Sequence, residues 1–327
     1  MTLCRYRFRF LILAGALLAA TQSPLTLAQD AYPSKPVKVV VGFSAGGATD
    51  ILARMLAERL SKQMNASFIV ENRDGANGNI AGELVSRAAP DGYTILHNTS
   101  SMMFSQALGM KIGYDPVKDL APVSLVATNS LVLVAHPSVP VKNLREFIAY
   151  AKANPGKLAH GSPGIGNISH LAGLLFEKAV GIEALHVPYR GAGPAMAAAL
   201  GGQVQFLFDP VSTALPVIRD NRLKVLAVAS EKRLDGLPDV PTFRESGINL
   251  EVGAWQAVSV PARTPTAVIE RLNAEIVKAL LAPDFRAKLA EQGTTAIGST
   301  PAAYATYTKA EIERWTDVVR TGNVKVD

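Results

Sequence analysis

The chain has 327 residues, of which 48% are hydrophobic and 18% charged, with one Cys and a formal net charge of +6. This hydrophobic fraction excludes a disordered chain, and a single Cys excludes both a disulfide scaffold and a Cys-based zinc cluster. At about 150 residues per domain, the length indicates two domains, each large enough to bury a core.

Residues 1–28 have the order of a secretory signal peptide. Three arginines within the first nine residues precede an apolar run from Phe10 to Ala20, and small residues follow. The run is eleven residues long, whereas a membrane-spanning helix needs about 20. The segment therefore predicts export to the periplasm with cleavage after Ala28, and strongly favours this over a membrane anchor.

The signal segment carries half of the excess charge. It holds three Arg and no Asp or Glu, so the mature chain has 30 basic and 27 acidic residues, a net charge of +3. Its removal also takes away Cys4, and an exported chain without thiols suits an oxidising compartment. The remaining Lys and Arg are scattered among acidic residues without a basic stripe, so nucleic-acid binding is not supported.

Apolar β-branched runs alternate with segments of helical periodicity along the mature chain. The predicted strands are Val37–Gly42, Ser67–Glu71, Tyr93–His97, Leu131–Ala135, Lys157–His160, Ala184–Val187, Val204–Phe208, Lys224–Ala229 and Trp255–Val260. The predicted helices are Ala48–Lys62, Ile80–Ala88, Leu144–Ala153, Ser169–Val180, Pro194–Leu200, Pro265–Leu281, Pro283–Glu291 and Pro301–Val319. Polar Thr128–Ser130 interrupts the apolar stretch Leu120–Ala135. The alternation predicts an α/β fold with parallel sheets and helices on both faces.

Two strand-to-helix joints are rich in glycine. The first spans Val39–Asp50 and the second His160–His170. Glycine lets a backbone approach a ligand closely, and a helix start presents unpaired N–H groups with a partial positive charge. A single such loop is more often a tight turn, but two matched loops in successive halves of an exported chain predict a site for a carboxylate or phosphate.

Enzymatic interpretations of these loops find little support elsewhere in the chain. Gly42–Gly46 matches the G-x-S-x-G nucleophile elbow of α/β-hydrolases, with Ser44 as nucleophile. That fold needs several strands before the Ser and a catalytic His near the end, yet the last His is His186. The second loop is neither a dinucleotide fingerprint nor a P-loop, and the five His show no metal-ligand spacing. We therefore predict no catalytic residue, metal or cofactor.

Five polar residues outside the two glycine-rich loops or at their ends are candidate ligand contacts. His170 lies on an apolar helix face at the second loop, where a packed core His is the commoner role. Asp209 ends a strand and either points into a cleft or forms a turn with the Pro that follows. Asp50 suits the helix dipole or, less often, a ligand ammonium. Thr99 and Ser100 follow a strand and offer hydroxyls.

At these loops the sequence resembles the Bug-type receptors of tripartite tricarboxylate transporters, over essentially the whole mature length. The matching stretches are Tyr32–Pro36, Gly46–Asp50, Val70–Arg73, Pro90–Thr94, Gly161–Leu171, Val187–Gly191, Gly201–Val204 and Val240–Thr242. Their order and spacing carry the resemblance. Two positions depart from the family pattern: Asp74–Gly78 replaces Pro-Gly-Ala-Gly-Gly, and Ser44 stands where Pro is common, which adds a hydroxyl to the first loop.

The resemblance implies a two-lobed periplasmic binding protein of the Venus-flytrap, type II-like fold, each lobe a mixed, mostly parallel sheet flanked by helices. Lobe 1 would comprise residues 30–130 plus 253–327, and lobe 2 residues 131–252. Family ligands are mostly small carboxylates, held by main-chain groups and bridging waters from loops corresponding to Phe43–Gly47 and Gly161–Gly166. Membrane permease subunits are the implied partners.

Together these observations predict a monomeric periplasmic receptor that closes around a small organic carboxylate. The candidate ligand-binding residues are Phe43, Ser44, Ala45, Gly46, Gly47, Asp50, Thr99, Ser100, Gly161, Ser162, Gly164, Gly166, His170 and Asp209. A ligand sensor for a membrane signalling partner and a secreted serine hydrolase are the alternatives. The sequence leaves open whether the ligand is a dicarboxylate, an amino acid or an aromatic acid.

Overall fold

The computed structural model describes residues 32–322. The predicted signal peptide, residues 1–28, lies outside them. The chain divides into two units, Met1–Ser34 and Lys35–Asp327. The described residues of the first unit, 32–34, form no helix or strand. Among residues 32–322, no helix combines the length and the apolar character that a membrane crossing requires.

The second unit opens with alternating strands and helices. These elements are β1 (Val37–Val41), α1 (Ala48–Met64), β2 (Phe68–Asn72), a 3₁₀ turn (Ala76–Gly78), α2 (Asn79–Ser86), β3 (Thr94–Thr99) and α3 (Ser100–Ala107). β1 pairs in parallel with both β2 and β3. Helix α1 buries Leu52, Leu56 and Leu60, as its apolar periodicity predicts, and ends at Asn65 in the left-handed conformation.

The middle of the chain forms the second set of alternating elements. They are β4 (Leu120–Ala135), α4 (Leu144–Ala153), β5 (Ala159–Ser162), α5 (Ile168–Val180), β6 (Leu185–Pro188), α6 (Ala192–Leu200), β7 (Phe206–Pro210), α7 (Val211–Arg219) and β8 (Lys224–Val228). β5 pairs in parallel with β6 and β7. The chain ends in β9 (Gly253–Pro261), α8 (Thr266–Leu281), α9 (Pro283–Glu291), β10 (Thr294–Ala296) and α10 (Pro301–Gly322).

Strand β4 belongs to both halves of the sheet. Its residues up to Ser130 pair with β9 and β10, and those from Leu131 onward pair with β7 and β8, all antiparallel. The path runs β2-β1-β3-β9-β4-β7-β5-β6, with β10 and β8 also on β4. The strands β1, β2, β3, β9 and β10 are called the first half of the sheet below, and β5, β6, β7 and β8 the second half.

The sheet is mixed and is covered by helices, as predicted. Its parallel pairings lie toward the two ends of the path, and its antiparallel pairings lie in the middle, along β4 and β9. Successive residues of β7 enter different cores: Phe206 and Phe208 pack in one cluster, whereas Leu207 packs in another. The sheet is therefore buried on both faces at this strand, which explains its continuous apolar sequence.

Two expectations about element boundaries were wrong in detail. The polar residues Thr128–Ser130 do not interrupt β4, because they pair with β9 and the Asn129 side chain is hydrogen-bonded. Pro265 precedes α8 as its N-cap instead of standing in its first turn. Helices α3 and α7 were not predicted. Helix α3 follows β3 without any loop residue, and α7 contains Pro216, a residue that usually marks a helix end.

Candidate anion-binding site at five helix starts

A small cavity, called the inner cavity below, lies where five helices begin. Its walls include the first residues of α1, α3, α5 and α6 and the residue that precedes α7, namely Ala48, Ser100, Ile168, Ala192 and Pro210. The cavity volume is about 60 Å³. Helix starts present unpaired backbone N–H groups and the positive end of the helix dipole, so their convergence favours an anion.

The features of the inner cavity that favour an anion lie in the backbone at the helix starts. None of the described residues that line it is a Lys, Arg or His. Two of the five helix starts, those of α1 and α5, follow the glycine-rich loops of the sequence. The sequence did not indicate the other three. A bound anion would be held here by N–H groups and hydroxyls, without a salt bridge.

Three hydroxyl groups in the cavity wall are buried without a hydrogen-bond partner. They are Thr99 Oγ1, Ser100 Oγ and Ser169 Oγ, in residues that are 5%, 0% and 1% exposed. Buried polar groups in proteins are nearly always hydrogen-bonded. Because their residues line the inner cavity, a ligand oxygen or a bridging water is the candidate partner for these hydroxyls.

Two amide side chains that line the inner cavity, Gln256 and Asn129, are fixed by a buried chain of hydrogen bonds. Gln256 Nε2 donates to Asn129 Oδ1 (2.8 Å), and Asn129 Nδ2 donates to Thr294 Oγ1 (2.6 Å). His97 Nε2 lies 2.9 Å from Gln256 Oε1. Burial lowers the pKa of His97 to about 4, so the ring is neutral at pH 7. Its Nε2–H therefore donates to Gln256 Oε1, and the chain links β3, β9, β4 and β10.

Asp50 holds the first glycine-rich loop in place. Its Oδ2 accepts hydrogen bonds from the Gly46 backbone N–H and from Arg54 Nε, each at 2.9 Å, and its Oδ1 accepts one from Asn72 Nδ2. Asn72 Nδ2 also donates to the Phe43 carbonyl oxygen. Burial opposes ionisation, but the hydrogen bonds outweigh it, and the pKa of Asp50 lies below its usual value. Both carboxylate oxygens are thus engaged by the protein itself.

The second glycine-rich loop is held by the start of α5. Asn167 caps the helix, because its Oδ1 accepts the Ser169 backbone N–H at 3.0 Å. The Gly166 N–H donates to His170 Nδ1 at 3.1 Å. The Ile168 N–H donates to Ser101 Oγ at 3.3 Å, which joins α5 to α3 across the inner cavity.

A cluster of imidazoles lies behind this loop. The rings of His170 and His186 stack with centroids 3.9 Å apart, and Ser162 Oγ lies 2.7 Å from His186 Nε2. The pKa of His170 is lowered to about 3, mainly by burial and to a smaller extent by the nearby His186 and His160. Burial and His160 lower that of His186 to about 4. Within residues 32–322, no group of three or more His, Cys, Asp or Glu is arranged to hold a metal ion.

A second and larger cavity, called the outer cavity below, adjoins the inner one. Its volume is about 490 Å³, and Phe43, Ser44 and Pro163 line both cavities. Exposed Asp74 and Arg190 lie on its walls, and none of the described ion pairs includes either of them. The outer cavity therefore offers both signs of charge, in contrast to the inner cavity.

The family model for the tripartite tricarboxylate transporter family receptor matches residues 52–324. This chain belongs to that receptor family. Protein BugT of Bordetella pertussis is 35% identical over 97% of this chain and 98% of BugT. Among solved structures, R. palustris Rpa4515 with adipate superposes with a TM-score of 0.88 at 33% identity, covering 90% of this chain and 99% of that one. MatC from Rhodopseudomonas palustris with bound malate gives 0.82 at 34% identity, covering 88% and 100%.

The comparisons confirm the family and the periplasmic binding protein fold of this receptor. The solved structure of BugD, a periplasmic binding protein, superposes with a TM-score of 0.85 at 34% identity, covering 90% of this chain and 99% of BugD. In the receptor, no His among the described residues hydrogen-bonds to Ser44 Oγ, which is the contact that a serine nucleophile requires. The G-x-S-x-G match at Gly42–Gly46 thus lacks its structural context.

Five of the predicted site residues of the receptor line the inner cavity: Phe43, Ser44, Gly47, Thr99 and Ser100. Gly164 lines the outer cavity together with Phe43 and Ser44. The other predicted residues line neither of these two cavities and are Ala45, Gly46, Asp50, Gly161, Ser162, Gly166, His170 and Asp209. Most of them form or support the two loops.

Asp209 lies one residue before Pro210, which lines the inner cavity, but its carboxyl is buried and accepts a hydrogen bond from Thr213 Oγ1. Burial raises its pKa to about 7, although the Thr213 hydrogen bond opposes the shift. The sequence missed the lining residues Asn129, Asn167, Ser169, Ala192 and Gln256. The signal for the first was its polarity inside an apolar strand, and Asn167 and Ser169 lay within the second glycine-rich joint.

Proposed function

We propose that this protein is a periplasmic solute receptor that closes two lobes around a small organic carboxylate and delivers it to a tripartite tricarboxylate-type transporter. The observation that carries the proposal is the convergence of five helix starts on a cavity with no basic side chain among its described lining residues. The relatives Rpa4515 with adipate and MatC with malate support a carboxylate as the anion.

The lobes comprise residues 30–130 plus 253–327 and residues 131–252. The pairing of β4 supports this division, because its partners change between Ser130 and Leu131, and β9 begins at Gly253. The inner cavity takes residues from both lobes, including Ser100 and Ser169. A ligand that contacts residues of both lobes would bind the closed arrangement more tightly than the open one, and would thereby favour closure.

The inner cavity receives the carboxylate group and the outer cavity the rest of the ligand. A volume of about 60 Å³ accommodates a carboxylate with bridging water, since one water needs roughly 10–15 Å³ on this measure. Thr99, Ser100 and Ser169 supply hydroxyls to it. The remainder of the ligand passes Phe43, Ser44 and Pro163, which line both cavities.

The cellular setting also belongs to the proposal. The protein is exported with removal of residues 1–28, acts as a monomer in the periplasm, and meets the membrane subunits of the transporter. It works by binding alone. Membership of the receptor family and the signal-like sequence of residues 1–28 support this setting.

A carboxylate panel that includes malate and adipate tests the proposal by thermal shift and small-angle scattering. We expect at least one member to raise Tm and to reduce the radius of gyration. Ser169→Ala should weaken that ligand about 10- to 100-fold, as for a hydrogen bond to a charged group. Ser212→Ala is the matched control, because Ser212 is also the second residue of a helix with a buried, unpartnered hydroxyl but lines neither cavity. If no member of the panel stabilises the protein and none compacts it, the proposal is refuted.

A further inference from the structure

One side chain connects the 3₁₀ turn that follows β2 to the second glycine-rich loop at the outer cavity. Asn77, in the 3₁₀ turn between β2 and α2, donates from Nδ2 to the Ile165 carbonyl oxygen at 2.6 Å. Ile165 lies in the second glycine-rich loop, between Gly164 and Gly166. The bond therefore joins a turn that follows β2 of the first half of the sheet to a loop that follows β5 of the second half.

The glycines of the second loop leave room for the Asn77 amide. A Cβ added at Gly166 would lie 3.3 Å from Asn77 Nδ2, and one added at Gly164 would lie 3.6 Å from Asn77 Oδ1. The carboxamide therefore lies against the backbone of both glycines as well as bonding to Ile165. Both of these glycines have positive φ, +147° and +74°, so a side chain at either would be strained, and a Cβ at Gly166 would also lie 2.5 Å from Leu108 Cδ1.

The backbone of the 3₁₀ turn is shaped to present this amide. Asn77 has φ 55° and ψ 32°, in the left-handed region, where Asn is tolerated better than most residues with a side chain. Gly75, Ala76 and Gly78 also have positive φ, so four consecutive residues adopt conformations that a regular chain avoids. Such a run persists only where the surroundings hold it.

We propose that Asn77 is a positioning residue for ligand capture: by bonding to Ile165, it holds the second glycine-rich loop against the first lobe and favours the closed arrangement before ligand arrives. The inference rests on the lobe closure proposed above. Asn77 lines the outer cavity but not the inner one, so it acts on the carboxylate through the loop. Apparent affinity falls in proportion to the fraction of protein that is competent to bind.

Two substitutions separate the hydrogen bond from the backbone preference. Asn77→Gly relieves the left-handed residue and removes the amide, whereas Asn77→Asp keeps the shape but replaces the donor by an acceptor that faces a carbonyl oxygen. Asn65→Gly is the control, because exposed Asn65 is also left-handed (φ 49°) and ends α1, remote in sequence from both loops. Labels at Lys152→Cys and Lys309→Cys, both exposed and one in each lobe, report the lobe distance by energy transfer.

Without ligand, both Asn77 variants should show lower transfer efficiency than the parent, and Asn65→Gly should match the parent. With malate and adipate as probes, both Asn77 variants should release ligand about 5-fold faster and bind about 5-fold more weakly, with the ratio of the two Kd values unchanged. Unchanged transfer in both ligand-free variants would overturn the proposal. An altered Kd ratio would overturn it too, because Asn77 would then contact the ligand directly.

The ligand-free measurement keeps this inference separate from the proposed function. If the parent protein binds no member of the carboxylate panel, the proposed function fails, while the transfer efficiency still decides whether Asn77 holds the lobes together. If the parent binds a carboxylate and the Asn77 variants behave as the parent in every measurement, the inference about Asn77 alone fails.

Discussion

At the scale of single residues, two buried carboxyl groups show how the number of donors decides ionisation. Asp50 accepts hydrogen bonds from Gly46, Arg54 and Asn72, and these overcome burial, so its pKa is lowered. For Asp209, burial dominates against the single Thr213 hydrogen bond, and its pKa rises to about 7. Both residues are acids near a helix start, yet only Asp50 is built to carry charge.

Asp209→Asn should stabilise the protein at pH 8 and have little effect at pH 4. Because the folded-state pKa of about 7 exceeds the usual Asp pKa of 3.8, the folded state keeps a proton between these pH values that the unfolded state releases. The stability contribution of Asp209 therefore falls as pH rises through that window. Asn can still accept from Thr213 without ionising, so the gain at pH 8 is roughly 1–3 kcal/mol. Urea unfolding across pH 4–8 measures it.

Asp50→Asn should change stability at pH 8 in the opposite direction to Asp209→Asn. The lowered folded-state pKa of Asp50 means that its stabilisation is present above the unfolded pKa and is lost as pH falls through the folded one. The variant should therefore be less stable than the parent at pH 8. If Asp209→Asn were also destabilising at pH 8, the carboxyl of Asp209 would have to be ionised and satisfied in the folded state.

At the scale of elements, most helices and strands could be predicted from the sequence, but not which elements pack against each other. Helix α9 has the predicted bounds, Pro283–Glu291, and α1 starts at the predicted Ala48 because the periodicity of its apolar residues is clear. The bonds that link His97, Gln256 and Asn129 depend on which strands become neighbours, and spacing along the chain does not contain that information. The positions of α3 and α7 at the inner cavity were missed for the reasons given above.

A pair of helical glycines tests packing within elements. In α5, a Cβ at Gly173 would lie 1.8 Å from His160 Cε1, and the His160 ring is fully buried. In α6, a Cβ at Gly193 meets nothing within 4 Å. Gly173→Ala should therefore destabilise by about 1–3 kcal/mol through overpacking, whereas Gly193→Ala should change stability much less, because helix propensity favours Ala but the Pro194 that follows disfavours a Cβ there. Chemical denaturation followed by circular dichroism compares them, and equal effects would contradict the assigned position of His160.

At the scale of the whole molecule, β4 makes the two halves of the sheet depend on each other. The strand contributes to both, and Trp315 of α10 packs against Phe104 of α3 at 4.8 Å between ring centroids, within the cluster that contains the second-half residues Phe206 and Phe208. Each half also has a smaller cluster of its own, around Leu207 in the second and Leu96 in the first, but the cluster that holds Phe104 and Trp315 is shared between them. Cooperative coupling of the halves follows from this sharing.

Unfolding by urea should accordingly be a single transition, with the same midpoint by circular dichroism and by fluorescence of the two Trp residues. A carboxylate that binds only the folded state should move both midpoints together. At a hundredfold excess over Kd, it should raise the free energy of unfolding by about 2.7 kcal/mol. Two separated transitions, or a ligand that shifts only one probe, would show that the halves unfold independently.

The pairing of β3 with β9 also has a consequence for synthesis. The second half of the sheet and its helices form one continuous stretch of chain, whereas the first half is completed only by β9 and β10 near the end. During synthesis from the N-terminus, β1, β2 and β3 are complete before β9 is made. The edge of β3 that pairs with β9 therefore stays open while the middle segment is synthesised. The part of the protein that is made first is therefore the part that is finished last, and its exposed strand edge needs protection until then.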